Sequence, residues 1–152
     1  MQGYMYAEKK VYTQMNHPFI VRAEHCLQDM KNLYLLMEFC VHGDLSQHIR
    51  TKPLPERIAK TYFCEAALAL EALHAQKMLY RDLKVANVLV DTEGHIKLTD
   101  FGLSKEGVVA ESFVGSVGYV APELLVESNA KPHGPELDWY LLGIFLYELL
   151  HG

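Results

Sequence analysis

The sequence is poor in cysteine, and its few thiols are badly placed for cross-links. Cys26, Cys40 and Cys64 are odd in number, widely separated and form no Cys-x-x-Cys pair. The eight histidines likewise include no His-x-x-x-His pair. This spacing excludes a disulfide scaffold and the usual structural zinc sites. Reduced thiols are typical of the cytoplasm, and we expect the protein to be located there.

The chain also lacks a long apolar run. Its most apolar window, residues 139–147, lies between Asp138 and Glu148. A transmembrane helix needs about 20 apolar residues, so no membrane segment is expected. We expect this window to form a fully buried helix instead. The first ten residues are polar, so no secretory signal is expected at this end.

A basic excess is missing as well, because the formal net charge is −5. General nucleic-acid-binding proteins are usually basic, so no nucleic-acid partner is expected. The acidity is ordinary for a soluble protein, and it would also suit a cationic partner such as a basic peptide. Apolar residues make up 50% of the 152 positions, which indicates a globular chain with a sizeable core.

Periodicity and turn residues predict a mixture of helices and strands. Apolar residues recur at three- and four-residue spacing over residues 56–76, which predicts a long amphipathic helix. Residues 88–90 and 95–99 predict two strands joined by a turn at 91–94. A loop is predicted between residues 102 and 119. The other predicted elements are a helix over 1–14, strands at 19–26 and 33–39, a short helix that Asp44 caps and that ends at Arg50, a short helix from 121, and the apolar helix 138–150.

The chemistry is concentrated in residues 80–102, YRDLKVANVLVDTEGHIKLTDFG. The predicted hairpin holds the loop with Asp82, Lys84 and Asn87 at one end, and Asp100 follows the second strand at that same end. Three oxygen-bearing side chains then lie beside one lysine. Carboxylate and amide oxygens are ligands for magnesium, and a lysine neutralises phosphate charge. The pattern predicts a site for metal ions and transferable phosphate.

With its flanking motifs, this stretch resembles a eukaryotic protein kinase. The supporting motifs are the Ala121-Pro122-Glu123 triplet and DWYLLG from Asp138. The loop YRDLK, with HPFIV from His17 and LYLLMEF from Leu33, resembles the AGC group of Ser/Thr kinases, which includes the cAMP-dependent kinases. The resemblance implies an α+β, two-lobe kinase fold that is partial here, with residues 1–39 from the N-lobe and 40–152 from the C-lobe. It implies ATP and Mg²⁺ as cofactors.

The resemblance also implies a role for each site residue. Asp82 would accept or orient the proton of the substrate hydroxyl, and Lys84 would neutralise charge on the transferred phosphoryl group. Asn87 and Asp100 would hold Mg²⁺ against the ATP phosphates. The residues implied in nucleotide binding are Glu8 (pairing a phosphate-binding lysine), Met37 (gatekeeper), Glu38 and Cys40 (backbone to adenine), Leu89 (floor of the adenine ring), Asp44 (ribose) and Thr99.

A second set of implied roles concerns regulation. Ser112 matches the activation phosphosite of the group, and Arg81 would pair with its phosphate, which an upstream kinase would supply. Ser116 matches the hydroxyl residue that bonds the catalytic Asp and Lys, which implies a protein substrate phosphorylated on Ser or Thr. Asp138 resembles the buried Asp that ties its helix to the catalytic loop. Tyr12, Ala23, Tyr80 and Phe101 fall at positions that stack into one spine.

The sequence departs from the family at several places. No glycine-rich loop and no strand lysine precede Glu8, and we expect this chain to be the middle of a kinase domain. Ala86 replaces the Glu that usually precedes the loop Asn in basic-directed relatives, while Asp44 and Glu148 keep two other acidic positions. We therefore expect a weakened preference for arginine before the target residue.

Two alternatives to an active protein kinase stay open. Taken alone, the chain would be a kinase-like binding or regulatory piece without catalysis, because the phosphate loop and the strand lysine are not in it. A small-molecule kinase of related fold is disfavoured, because residues 112–123 resemble a segment that binds protein substrates.

Overall fold

A computed structural model describes residues 10–30, 32–107, 118–122 and 133–152. These residues contain both helices and antiparallel strand pairs, so the expected α+β class is confirmed. In chain order the elements are α1 (helical residues 10–14), β1 (Ala23–Gln28), β2 (Leu33–Met37), α2 (Leu45–Ile49), α3 (Glu56–Ala75), β3 (Met78–Leu79), a 3-10 turn (Val85–Asn87), β4 (Val88–Val90), β5 (Ile96–Leu98), β6 (Lys105–Glu106) and α4 (Pro135–His151).

The long helix α3 forms where the periodicity predicts it. Pro55 precedes its first residue, and the Pro55 carbonyl accepts hydrogen bonds from the N–H groups of Ile58 and Ala59. Proline suits the position just before a helix because it has no backbone N–H that would need a hydrogen-bond acceptor there. The residues at three- and four-residue spacing form the buried face: Ala59, Ala66, Ala69, Leu70 and Leu73. The prediction of this helix is confirmed.

Within the described residues, the strands form three antiparallel pairs. The hairpin β4–β5 and strand β2 lie where the sequence predicts strands, whereas β1 begins four residues after the predicted start at 19 and extends to Gln28. The pair β3–β6 was not predicted, and the loop expected after Gly102 is wrong at Lys105 and Glu106. Strands of two residues carry no alternation to detect. They form because Leu79 pairs with Lys105, and because the Gly107 N–H donates to the Lys77 carbonyl at 2.7 Å.

Helix α4 corrects the expectation of a fully buried helix. Its side chains Trp139, Tyr140 and Tyr147 are 44%, 41% and 63% exposed. The opposite face is buried and packs with α3, and it comprises Leu137, Asp138, Leu141, Leu142, Phe145 and Leu149. An apolar composition all around a helix does not show which face meets the core. In the residues that the structure describes, no helix is both long and apolar enough to cross a bilayer.

The β4–β5 hairpin lies between two flanking loops that bond its outer edges. On one side, Leu98 donates to the Phe19 carbonyl and accepts from the Val21 N–H, both at 2.9 Å. On the other side, Val90 donates to the Gly43 carbonyl at 2.9 Å. Ile96, Leu98 and the other inward-facing side chains of the hairpin are buried in the main apolar cluster. The hairpin is therefore fixed from both sides.

Several predicted features lie outside the described residues. They include Glu8, Ser112 and Ser116, and most of the helices predicted over 1–14 and from 121. The division into residues 1–39 and 40–152 stays a prediction.

Candidate active site

The loop that leads into β4 brings three of the predicted side chains into direct contact. Lys84 Nζ lies 2.8 Å from Asp82 Oδ2, and Asn87 Nδ2 donates to the same oxygen at 2.7 Å. Asn87 Nδ2 also donates to the Asp82 carbonyl at 3.0 Å. Asp82 and Asn87 are each only 6% exposed. The 3-10 turn Val85–Asn87 causes this contact, because it folds Asn87 back towards Asp82.

Asp100 joins this group through the backbone of the hairpin. The preceding Thr99 N–H donates to the Asn87 carbonyl at 3.0 Å, so the two chain segments lie side by side at this end. Asp100 has a φ of 54°, which is in the left-handed region, and its N–H donates to Tyr12 Oη at 3.0 Å. Its side chain is exposed, unlike those of Asp82 and Asn87. The backbone of Thr99 therefore lies beside Asn87, while the convergence of the Asp82, Asn87 and Asp100 side chains stays a prediction.

The donor set at this end fits a magnesium ion. The Asn87 amide nitrogen makes the bonds to Asp82, so the amide oxygen is not used in them and is the atom that would bind a cation. The Asp100 carboxylate follows one residue after Thr99, and its Oδ1 accepts the Gly102 N–H at 3.2 Å. A Cβ at position 102 would lie 3.1 Å from that same oxygen, so glycine leaves it room. Carboxylate and amide oxygens are the ligands that Mg²⁺ prefers.

Three aromatic rings pack against one another in a row, with Phe101 in the middle. The Tyr12 and Phe101 centroids are 5.1 Å apart, and those of Tyr80 and Phe101 are 5.2 Å apart. Burial, with nearby carboxylates, raises the pKa of Tyr80 well above its usual range. Its hydroxyl therefore stays protonated and donates to the Thr99 carbonyl at 2.6 Å. The predicted stack is confirmed for these rings, while Ala23 is only partly buried against the core.

Asp138 holds the backbone at the start of the loop that carries Asp82. Its Oδ2 accepts the Tyr80 N–H at 2.9 Å, and its Oδ1 accepts the Arg81 N–H at 2.6 Å. The Asp138 side chain is fully buried, and His74 Nε2 lies 2.7 Å from Oδ2. The predicted tie between this helix and the loop is confirmed. His74, which lies in the last turn of α3 and four residues before β3, was not predicted from the sequence.

Arg81 is the residue predicted to meet a phosphate. The residue is 1% exposed, and its backbone has a φ of 68°, in the left-handed region. Its Nε donates to the Leu103 carbonyl at 2.8 Å, so the guanidinium is anchored to the segment after Gly102. Its predicted partner Ser112 lies outside the described residues.

The segment after β2 carries the residues predicted to meet adenine. The Glu38 N–H donates to the Arg22 carbonyl at 3.1 Å, and the Cys40 carbonyl accepts from Gly43 at 3.2 Å. The opposite groups, the Glu38 carbonyl and the Cys40 N–H, are then the ones that a planar base could meet. The Glu38 carboxylate accepts from Arg22 N–H at 2.7 Å and lies 3.0 Å from Lys97 Nζ. These bonds hold the segment against β5.

The other predicted nucleotide residues flank this segment. Met37 is 37% exposed, and Leu89 is half-buried. Asp44 forms an antiparallel bridge with Leu89 and caps α2, where Gln47 N–H donates to Oδ1 at 3.3 Å. Burial raises the pKa of Asp44, but bonds from Ser46 and Gln47 outweigh it, so the pKa is lowered overall. Thr99 Oγ1 lies 3.3 Å from Tyr12 Oη.

Comparison with known proteins identifies the chain. A family model described as "Protein kinase domain" matches residues 1–152. The chain belongs to the protein kinase domain family. Its relatives include "Atypical protein kinase C" of Drosophila melanogaster, 45% identical over 95% of this chain and 24% of the relative. They also include "Ribosomal protein S6 kinase alpha-3" of Homo sapiens, 43% identical over 95% of this chain and 20% of the relative.

A third relative is the "cAMP-dependent protein kinase catalytic subunit" of Dictyostelium discoideum. It is 43% identical over 96% of this chain and 22% of the relative. The chain thus spans less than a quarter of the length of each of these kinases. The expected resemblance to AGC-type Ser/Thr kinases is confirmed.

Ala86 and Glu148 are two of the positions that we expect to affect the preference for arginine in the substrate. Ala86 is exposed and precedes the buried Asn87. Glu148 Oε1 accepts the Tyr119 hydroxyl at 2.5 Å, and its buried Oε2 has no hydrogen-bond partner among the described residues. Burial, followed by the bond to Glu148, raises the pKa of Tyr119. The hydroxyl therefore remains a donor to Glu148.

Sequence reasoning missed one buried carboxylate near the site. Glu65 is 5% exposed and bonds the backbone of β5. A signal was present, because Glu65 lies three residues after Tyr62 and four before Ala69. A glutamate in the apolar stripe of a helix needs buried donors.

Proposed function

We propose that this chain carries the catalytic and magnesium-binding part of a protein Ser/Thr kinase, which transfers the γ-phosphoryl group of ATP to a protein hydroxyl. The observation that carries the proposal is the double contact at Asp82 Oδ2, with Lys84 at 2.8 Å and Asn87 at 2.7 Å. Membership of the protein kinase domain family supports it.

Each residue has a distinct chemical task in this proposal. Asp82 accepts or orients the proton of the substrate hydroxyl, because an ionised carboxylate is an acceptor only. Lys84, already beside that carboxylate, neutralises charge on the transferred phosphoryl group. Asn87 and Asp100 would hold Mg²⁺, which when bound offsets phosphate charge and orients ATP. Tyr80 and Asp138 keep the loop in place through the bonds described above.

Nucleotide binding in this proposal uses the segment after β2. The Glu38 carbonyl and the Cys40 N–H bind the adenine edge, Met37 borders the base and Leu89 lies below it. Asp44 meets the ribose and Thr99 lines the phosphate side, while Glu8 pairs a phosphate-binding lysine supplied by the longer protein. Ser116 supports the catalytic pair.

The proposal extends to partners and regulation. The substrate is a protein Ser or Thr hydroxyl, with a reduced requirement for upstream arginine because position 86 is alanine. An upstream kinase phosphorylates Ser112, and Arg81 binds that phosphate. The three free thiols support a cytoplasmic location.

The decisive experiment is the replacement Asp82→Asn in the intact protein. Phosphate transfer to a Ser/Thr peptide should fall by at least about a hundredfold, because a positioned acid–base group contributes about 10²–10⁴. Mg²⁺-dependent binding of ATP should persist, since Asn87 and Asp100 remain. Transfer is measured with labelled ATP, and binding by calorimetry.

The matched control is Asp91→Asn, which changes the same residue type at the far turn of the hairpin. Asparagine keeps the oxygen that accepts the N–H groups of Glu93 and His95, at 2.9 and 3.0 Å in the wild type. Undiminished transfer by Asp82→Asn would refute the proposal. Nucleotide binding without any transfer by the wild type would favour the binding or regulatory alternative.

A further inference from the structure

Glu65, a buried residue of α3, forms hydrogen bonds with the β4–β5 hairpin next to its turn. Glu65 Oε2 accepts the Ile96 N–H at 2.9 Å, and Oε1 lies 2.6 Å from His95 Nδ1. Both carboxylate oxygens therefore have donors, which a buried charge requires. Since a carboxylate only accepts, the proton between Glu65 and His95 is carried by Nδ1.

Glu65 occupies a place that a neighbouring strand would normally fill. On the outer edge of β5, the Leu98 N–H donates to the Phe19 carbonyl at 2.9 Å, as in a sheet. The next outward N–H on that edge belongs to Ile96, and it meets the Glu65 side chain instead of backbone. Ile96 is fully buried, so its N–H needs this acceptor. Glu65 thus completes the edge of the hairpin.

This anchor matters because the hairpin is short. Strands β4 and β5 have three residues each, and an isolated two-stranded hairpin is marginal in water. A slip of one residue would expose the buried Ile96 and Leu98. At the other end, the Thr99–Asn87 bond sets the neighbouring Asp100. A displacement of Ile96 would therefore also shift Asp100, because β5 leads directly from Ile96 to Thr99 and Asp100.

We propose that Glu65 is a positioning residue for the reaction: by holding Ile96 and His95, it fixes the hairpin so that Asn87 and Asp100 keep the spacing that magnesium-bound ATP needs. The inference rests on the proposed function, in which these two residues hold the ion. Glu65 itself touches neither substrate nor nucleotide in this scheme.

The anchor is sensitive to pH through His95. The hydrogen bond to Glu65 raises the pKa of His95, and the charges of Glu65, Asp91 and Glu93 add to the effect. The His95 side chain is 49% exposed, so solvent protons reach it. Protonation strengthens the pair, and the anchor weakens as pH rises through the raised pKa. The charged and titratable groups around it are Glu65 and Tyr62 on α3, Asp91 and Glu93 in the turn, Lys97 on β5, and Glu38 before it.

The first test is Glu65→Ala in the intact protein. The Ile96 amide should exchange its hydrogen faster, and Mg²⁺-dependent binding of a non-hydrolysable ATP analogue should weaken roughly tenfold. Glu56→Ala is the matched control, because Glu56 lies on the same helix, pairs with Lys60 on the surface and should change neither quantity. Faster exchange at Ile96 with unchanged analogue affinity would show a purely structural role and overturn the inference.

The second test, Glu65→Gln, serves if the alanine variant does not fold. The amide oxygen can still accept the Ile96 N–H, but it no longer favours a protonated His95. Wild-type affinity for the Mg²⁺–analogue complex should fall as pH rises through the raised pKa of His95, and the variant should lose this dependence. An identical pH profile in both proteins would overturn the inference. Failure of the proposed function would look different, since the wild type would then bind no Mg²⁺–nucleotide or Asp82→Asn would keep full transfer.

Discussion

Three aspartates, Asp82, Asp100 and Asp138, differ in burial and in hydrogen-bond partners. Asp138 is fully buried and accepts two backbone N–H groups, so it is a structural acceptor. Asp82 is also buried, but its contacts are with the side chains of Lys84 and Asn87. Asp100 is exposed at the end of β5, where an ion can reach it. Motif spacing located all three, but only the contacts separate their environments.

Ala86 provides a prediction about substrate choice at the residue scale. Its exposed side chain carries no charge, so a carboxylate added there should attract an arginine of the substrate. In the intact protein, Ala86→Glu should raise the ratio of kcat/KM for peptides with and without upstream arginine by roughly fivefold, or ~1 kcal/mol for one exposed pair.

The measurement is phosphorylation of an arrayed peptide library, with Ala86→Gln as the uncharged control. A wild-type protein that already requires arginine at every upstream position would contradict the expected weak preference. An unchanged ratio in Ala86→Glu would contradict the role of this position.

At the scale of elements, the length of a helix or strand decides whether the sequence alone can predict it. Helix α3 has 20 residues of regular apolar spacing and was located almost to the residue. Strands β3 and β6 have two residues each and exist through their mutual pairing, so local sequence did not reveal them. Helix α4 was located, but its exposed face was not, because the partner α3 selects which side is buried.

The short helix α2 gives a prediction about its cap. The Asp44 carboxylate accepts hydrogen bonds from the Gln47 N–H, the Ser46 hydroxyl and Gln47 Nε2. Asp44→Ala should lower the free energy of unfolding by about 1 kcal/mol, because the first turn loses its acceptor. Asp44→Asn should keep most of the stability, since asparagine caps equally well.

Urea unfolding followed by the fluorescence of the single Trp139 measures the effect. The asparagine variant also separates stability from nucleotide binding, since it keeps the cap but loses the charge proposed to meet ribose. Equal stability of the alanine variant and the wild type would contradict the capping role.

At the scale of the whole molecule, buried polar groups connect elements that are distant in sequence. Glu65 joins α3 to β5, and Asp138 joins α4 to the backbone of Tyr80 and Arg81. Within the described residues, the buried side-chain atoms that lack a hydrogen-bond partner are His133 Nε2 and Glu148 Oε2. His133 is 3% exposed. Burial lowers its pKa, and the nearby Arg81 lowers it further.

This histidine predicts how the stability of the molecule depends on pH. The unfolded chain protonates His133 near its usual value of 6.5, whereas the folded protein resists protonation. Stability from His133 is therefore present above pH 6.5 and is lost as pH falls towards the lowered folded pKa, with a slope of at most about 1.4 kcal/mol per pH unit. His133→Gln should flatten this acid slope.

Urea unfolding between about pH 5.5 and 7.5 tests the prediction, with the exposed His25→Gln as control. His95 acts in the opposite direction. Its raised pKa gives stability that is present below pH 6.5 and is lost as pH rises through the folded pKa. An acid slope that is identical in His133→Gln and the wild type would contradict the assignment.

The sequence by itself determined the family, the long helix α3, the β4–β5 hairpin and the order of Asp82, Lys84, Asn87 and Asp100. These features depend on local periodicity, turn chemistry and motif spacing, which are properties of residues close together in the sequence. Tertiary structure alone decided which face of α4 is exposed, that β3 pairs with β6, and that Glu65 and His74 bond β5 and Asp138. Those contacts join residues far apart in the chain, and a buried polar side chain takes its role from the donors that folding brings to it.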